Sequence, residues 1–319
     1  MFEMTLRQML MMFGFIALGF LLKRVKILPS GSDVTMARLE TYIFVPALTI
    51  SNQMARCTPE TFRQNASLIL YGAVIVVIVL IAAVPMSYLY IRNAKTPYEE
   101  YQRSVYRYAM SFANAGFMGN FIILGVFGDE MFFKYQMFGL IPNILCQSYG
   151  LYILIPKDKN AGLLHNLKKG LLAPPVLALV FGVTAGLLGL SRFVPDFLLT
   201  LFKNAGSCQG PVAMILAGVV IAGYSLKKIL LNKKVYVASF VRLVAIPGAI
   251  LLALHAIGAS DVVMTLALIF FGTPLGLNSI VYPATYGGDT QTGASMASIS
   301  HTLSVITIPM MYYLFIELL

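Results

Sequence analysis

Ten apolar stretches dominate the sequence, near 5–22, 34–54, 66–91, 104–127, 131–155, 171–190, 197–224, 235–256, 261–284 and 291–316. Each is close to the roughly 20 residues that cross a bilayer as a helix. Hydrocarbon offers backbone amides no water, so a spanning segment must be a helix or part of a closed barrel. The stretches are solidly apolar rather than alternating, which argues against the barrel. Only 11% of the residues are charged, against about 25% in soluble domains, and what lies between the stretches suffices for loops but not for a separate soluble domain. An all-α polytopic membrane protein is expected. The first stretch has the length of a secretion signal. Its basic cluster, Lys23, Arg24 and Lys26, follows rather than precedes it, and no small-residue cleavage site appears, so it reads as a retained helix.

A net charge of +10 would suggest nucleic acid in a soluble chain. Here it is divided among short loops, and no nucleic-acid partner is expected. Lys23, Arg24, Lys26 and Arg38 follow the first stretch, and Arg92, Lys95, Arg103 and Arg107 the third. Lys157, Lys159, Lys168 and Lys169 follow the fifth, and Lys227, Lys228, Lys233 and Lys234 the seventh. The other side carries Arg7, Arg56, Arg63, Lys134, Arg192 and Lys203. The bias is 16 to 6, with Arg242 the remaining one of 23. Basic loops stay in the cytoplasm, which puts both termini outside. Cys57, Cys146 and Cys208 lie far apart, matching neither a disulfide framework nor a metal site. No metal or cofactor is expected.

A cut after the fifth stretch leaves segments 1–157 and 158–319 with five spans each. An odd number makes the halves run in opposite directions, and weak echoes pair them. Pro46 is expected to break the second helix and Pro211 the seventh. The fourth stretch ends in Phe127-Gly128-Asp129 and the ninth in Gly287-Gly288-Asp289. Inverted repeats with matched helix breaks mark secondary transporters. A break inside lipid survives only where it lines a polar cavity or is packed in protein, and its helix ends supply partial charges.

The breaks hold the candidate site. The fourth stretch contains Asn114, Gly116, Gly119 and Asn120, and the ninth contains Pro274, Asn278 and Ser279. Glycine tolerates unwinding, and amides bind a carboxylate oxygen or a freed backbone group; the competing reading is close helix packing. Asn143 and Gln147 are four apart and share a face. Thr49 and Ser51 follow Pro46, while Ser207 and Gln209 precede Pro211; these line the same cavity or bond back within their own helices. Arg242 counters an anion, snorkels to the surface or forms a structural pair. His301 is a titrating group or a hydrogen-bonded packing residue. Asp129 and Asp289 bind a cation or simply end a helix. No acidic residue is expected mid-helix as a proton relay, which disfavours an acid-driven exchanger.

Asn114-x-Gly116-Phe117-x-Gly119 resembles the fourth-helix motif of the auxin efflux carrier family, whose bacterial members include malate and malonate permeases. Pro211-x-Ala213-Met214 with Gly218 resembles its seventh helix, and Arg242-Leu243 with Pro247 its eighth. Pro274 through Asn278-Ser279, then Tyr286-Gly-Gly-Asp289, resembles the ninth. Ser300, Thr302-Leu303-Ser304 and Pro309 resemble the tenth. Phe121 departs from the proline common in the family. The resemblance implies ten helices in two inverted five-helix repeats, with helices 4 and 9 broken and crossing, as in sodium/proton antiporter-like or bile-acid-symporter-like folds. It further implies a scaffold of helices 1, 2, 6 and 7, a homodimer, and elevator movement of the other six helices with a small organic anion. The expected setting is the inner membrane, with lipid as the other partner. Alternatives are a sodium-coupled symporter of the bile-acid type and a non-transporting ligand sensor. HExxH and GxSxG motifs and a pair of buried aspartates are lacking, so no enzyme is expected.

Overall fold

The structure is a computed structural model that describes residues 2–154, 164–165, 168, 171–224, 233–286 and 290–318. Segment boundary 157/158, Asp289 and the loop lysines Lys157, Lys159, Lys169, Lys227 and Lys228 lie outside the described residues. The described residues are mainly helical, and the only β-type pairing among them is one antiparallel bridge, Ala113 to Leu275.

Helix α1 covers Phe2–Arg24, α2 residues 32–56, α3 Pro59–Tyr90, α4 Pro97–Ser111 and α5 Ala115–Phe138. Then come α6 (Leu140–Leu154), α7 (Pro174–Leu187), α8 (Asp196–Ala222), α9 (Lys233–Ala256), α10 (Asp261–Gly272), α11 (Asn278–Tyr286) and α12 (Gln291–Glu317). Several starts are written locally. Thr58 and Thr61 cap α3 reciprocally ahead of Pro59, and Thr96 and Glu99 cap α4 ahead of Pro97. In both, side-chain oxygens accept backbone N–H groups that the first turn leaves without partners. Gly128, at φ 76°, divides α5 where the fourth and fifth stretches were expected to part.

Among the described residues, six stretches are long and apolar enough to cross a membrane: Leu6–Arg24, Pro59–Tyr90, Ala115–Phe138, Asp196–Ala222, Lys233–Ala256 and Gln291–Glu317. Helices α6, α7 and α10 are apolar but shorter. On α3, Leu70, Val74, Ile78 and Ile81 are 49–68% exposed, an outward apolar face of the kind that hydrocarbon covers. The architecture is that of a multi-pass membrane protein.

Two close backbone approaches organise the packing. Helix α1 lies along residues 209–222 of α8. A Cβ on Gly19 would stand 2.1 Å from the Ile215 carbonyl oxygen, and one on Gly218 would stand 2.0 Å from that of Ile16. Only hydrogen fits at either place, so the two helices touch backbone to backbone. Helix α7 lies on residues 45–56 of α2 in the same manner, with Gly186 against the Gln53 and Cys57 carbonyls. Residues 196–207 of α8 pack on α2 as well. Elsewhere α3 packs on α4, α5 and α6, and α9 packs on α10 and α12.

The expected breaks at Pro46 and Pro211 need correction. Helix α2 continues through Pro46, because a π turn at Glu40–Phe44 precedes it and the Val45 N–H reaches back to the Glu40 carbonyl. The wider turn absorbs the missing donor and the clash that a proline ring makes one turn back. In α8 the irregular residue is Cys208, three positions before Pro211; the Cys208 N–H turns to the Ala205 carbonyl at 3.2 Å.

Candidate functional site

Helices α4 and α10 stop at the same place. Thr273-Pro274-Leu275-Gly276 leaves the helix between α10 and α11 before Leu277 turns into α11, and Phe112-Ala113 is extended between α4 and α5 before Asn114 (φ −79°, ψ 43°) bends into α5. The two segments cross, joined by the Ala113–Leu275 bridge and by the Asn114 N–H donating to the Pro274 carbonyl at 2.8 Å. Proline at 274 cannot continue the helix, and Gly276 lets the Ala113 backbone pass close by. The crossing therefore gathers four helix ends: the C-termini of α4 and α10 and the N-termini of α5 and α11.

Arg242 holds the C-terminal ends. It is 1% exposed. Its Nη2 donates to the Phe271 carbonyl at 2.5 Å, its Nη1 to Met110 at 3.4 Å and its Nε to Thr273 at 3.4 Å. The snorkel reading is thereby corrected: the side chain turns inward because three unpaired carbonyls of two helix ends lie within its reach. Each C-terminus carries roughly half a negative charge, so one guanidinium offsets the pair. The N-terminal ends keep their positive character.

Beside those N-termini lies a cavity of ≈ 80 Å³, several times the roughly 10–15 Å³ that one water needs. Asn114, Gly116 and Asn120 line it from α5 and its approach, Asn143 and Gln147 from α6, Asn278 from α11 and Thr49 from α2. No Asp, Glu, Lys or Arg lines it among the described residues. The side chains expected at i, i+4 do share a wall, and Gln147 accepts a hydrogen bond from the Tyr282 hydroxyl. Gln136, 5% exposed, lines the same cavity. Its surroundings in sequence, Phe-Phe-Lys-Tyr-Gln-Met-Phe, carry no periodic signal that would single it out.

Asn114 is the most constrained of the amides. Its Nδ2 lies 3.1 Å from His301 Nε2, and His301 Nδ1 lies 2.7 Å from the Ala297 carbonyl. A carbonyl only accepts, so Nδ1 carries the proton and Nε2 accepts from Asn114. His301 is thus a buried positioning residue, and the Asn114 Oδ1 is left without a partner.

Other expected residues fall elsewhere. Gly119 does not line the cavity; a Cβ there would meet the Tyr135 hydroxyl at 2.1 Å, which makes it a packing glycine. Pro274 contributes its carbonyl to the crossing, and the Ser279 hydroxyl donates to the Gly276 carbonyl at 2.8 Å. Ser51, Ser207, Gln209, Pro211 and Asp129 line a second cavity, together with Arg56 and Lys203. Asp129 pairs with Arg56 at 3.6 Å, with both side chains well exposed. Gln209 Nε2 reaches the Gly116 carbonyl at 3.3 Å. The π turn Ala115–Gly119 shifts the bonding register at this end of α5, opening carbonyls by geometry where a proline after the glycine would open them by lacking a donor. Phe121 instead fills the space over Gly210.

One residue overturns an expectation. Glu40, in the π turn of α2, is 0% exposed, and neither carboxyl oxygen has a hydrogen-bond partner. An acidic group does stand buried within a helix, away from its ends.

A family model described as membrane transport protein matches residues 4–312 of the chain. No curated protein matches it significantly.

Proposed function

Because the chain belongs to the membrane transport protein family, the family of the auxin efflux carriers its motifs resemble, we propose that it carries a small organic anion by alternating access. Members of this family are transporters rather than enzymes. The observation that carries the reading is the electrostatics of the crossing. Arg242 offsets two helix C-termini from behind, while the N-termini of α5 and α11 border a cavity walled by amides and, among the described residues, free of charged side chains. Two N-termini present roughly one positive charge between them. A carboxylate suits that potential, and the Asn and Gln amides of the wall supply directional donors. A cation would meet the wrong sign.

In this proposal helices 4 and 9 of two inverted five-helix repeats are the pairs α4–α5 and α10–α11. Reciprocal packing supports the repeat: α1 on the second half of α8 matches α7 on the second half of α2. The same contacts unite α1, α2, α7 and α8, in keeping with a scaffold against which the remaining helices slide in a homodimer. The membrane is the inner one, with both termini outside. The substrate is a mono- or dicarboxylate of the malonate or malate class, bound by Asn114, Asn120, Asn143, Gln147 and Asn278.

A thermal-shift screen of organic acids on the purified protein tests this, repeated with Asn114→Ala. Carboxylates are expected to stabilise the wild type and to leave Asn114→Ala unshifted. A wild type stabilised by no carboxylate sinks the anion reading.

A further inference from the structure

We propose that Glu40 is a proton-binding site, the carboxyl that couples proton movement to anion movement. The coupling role rests on the transport reading above; proton occupancy does not.

Burial comes first. Glu40 has no exposed surface, and neither Oε1 nor Oε2 meets a donor. An ionised carboxylate without a donor or counter-charge does not persist in such a place, whereas a carboxylic acid does. Among the described residues, no opposite charge on the elements packed most closely against the turn bonds to the carboxyl. Helix α7 and residues 209–222 of α8 carry no titratable side chain. Residues 196–207 of α8 carry Asp196 and Lys203, and Lys203 lines the second cavity. The rest of α2 carries Asp33, Arg38, Tyr42 and Arg56, and Arg56 pairs with Asp129. None of these bonds to Glu40.

Position comes second. Thr41 and Val45, the next residue and the one whose N–H bonds to the Glu40 carbonyl, both line the cavity at the crossing. Glu40 is therefore adjacent in the chain to a residue of the cavity wall, without lining the cavity itself. The π turn adds conformational slack at this point, as such turns often do at functional positions. The chemistry is a single proton transfer: a cavity water delivers H⁺ to the carboxylate, and the carboxylic acid returns it to water when the wall opens to the other side. Because the buried arrangement accepts only the neutral form, deprotonation requires a change of conformation, and the two equilibria are linked.

The test uses the full chain in liposomes with dicyclohexylcarbodiimide, an apolar reagent that needs the acid form. The carboxyl proton passes to a carbodiimide nitrogen, the carboxyl oxygen bonds the central carbon, and acyl migration leaves a stable N-acylurea. Peptide mass spectrometry is expected to find the adduct on Glu40 and none there in Glu40→Gln. In the same vesicles, loaded with a pH indicator, a malonate gradient is expected to change the internal pH for the wild type and for Glu40→Asp. Glu40→Gln is expected to exchange labelled malonate without the pH change. Absence of the Glu40 adduct, or a full pH change in Glu40→Gln, overturns the proposal. An adduct in a wild type that moves no carboxylate refutes the coupling role and the transport reading together while leaving the proton site in place. If Glu40→Gln does not fold, the wild-type adduct decides proton occupancy and Glu40→Asp decides coupling.

Discussion

Replacing Arg242 probes how the crossing is held. Its three bonds are unequal: Nη2 to Phe271 at 2.5 Å is short, and those to Met110 and Thr273 at 3.4 Å are long. A hydrogen bond from a charged donor contributes about 1.5–3 kcal/mol, and a buried carbonyl left alone costs about 1–3 kcal/mol. Arg242→Met strands all three carbonyls and loses the charge that offset two helix ends. The desolvation regained by removing a buried cation cancels part of this, leaving a destabilisation of about 3–5 kcal/mol. Arg242→Lys keeps the charge but not the fork. An ammonium can follow the short bond to Phe271 and must abandon the long ones, which costs about 1–2 kcal/mol. At about 2 °C per kcal/mol for a chain of this size, the expected shifts are about 6–10 °C for Met and 2–4 °C for Lys. The chain has no Trp, so thermal unfolding is best followed with a thiol-reactive dye on Cys57, which is 1% exposed. Exposed Cys208 is first replaced by Ser, whose hydroxyl can keep the bond to the Asn204 carbonyl. A Met variant as stable as the wild type, or a Lys variant as damaged as Met, refutes the clamp.

Three further outcomes follow from the same packing. Gly218→Ala puts a methyl 2.0 Å from the Ile16 carbonyl oxygen, forcing α1 and α8 apart; a loss of about 1–3 kcal/mol is expected by the same dye assay, and unchanged stability refutes the contact. Tyr135→Phe removes the 3.0 Å bond to the buried Ala115 carbonyl at the start of α5 and should cost about 1–3 kcal/mol. Thr96→Ala removes one half of the cap on α4 and should cost about 1 kcal/mol, with Thr96→Ser retaining most of the stability.

The membrane-spanning, all-helical character was readable because lipid imposes a length and a composition on each span, and against the ten expected, six stretches of the described residues meet both. The breaks were readable only in part. Gly272-Thr-Pro274-Leu-Gly276 announces an interruption, since proline and two glycines weaken the helix together, and the extended segment sits there. Pro46 and Pro211 look alike in sequence yet interrupt nothing at their own positions, because a π turn and the joint at Cys208 take up the missing donor. Asn143 and Gln147 were recognisable by spacing; Gln136 was not. The role of Arg242 was hidden because its partners are backbone carbonyls 29, 31 and 132 residues away, and carbonyls leave no trace in composition. His301 was similarly open until its neighbour 187 residues away was known.

Accumulation of labelled malonate and malate by proteoliposomes, with Asn278→Ala as the comparison, is the most direct test of an anion carrier built on the crossing. Asn278 lines the cavity at the start of α11, so its loss is expected to lower uptake at least tenfold while the thiol-dye transition stays within a few degrees of wild type. Uptake by Asn278→Ala equal to wild type, or no uptake of any carboxylate by the wild type, would contradict a substrate site at the crossed helices.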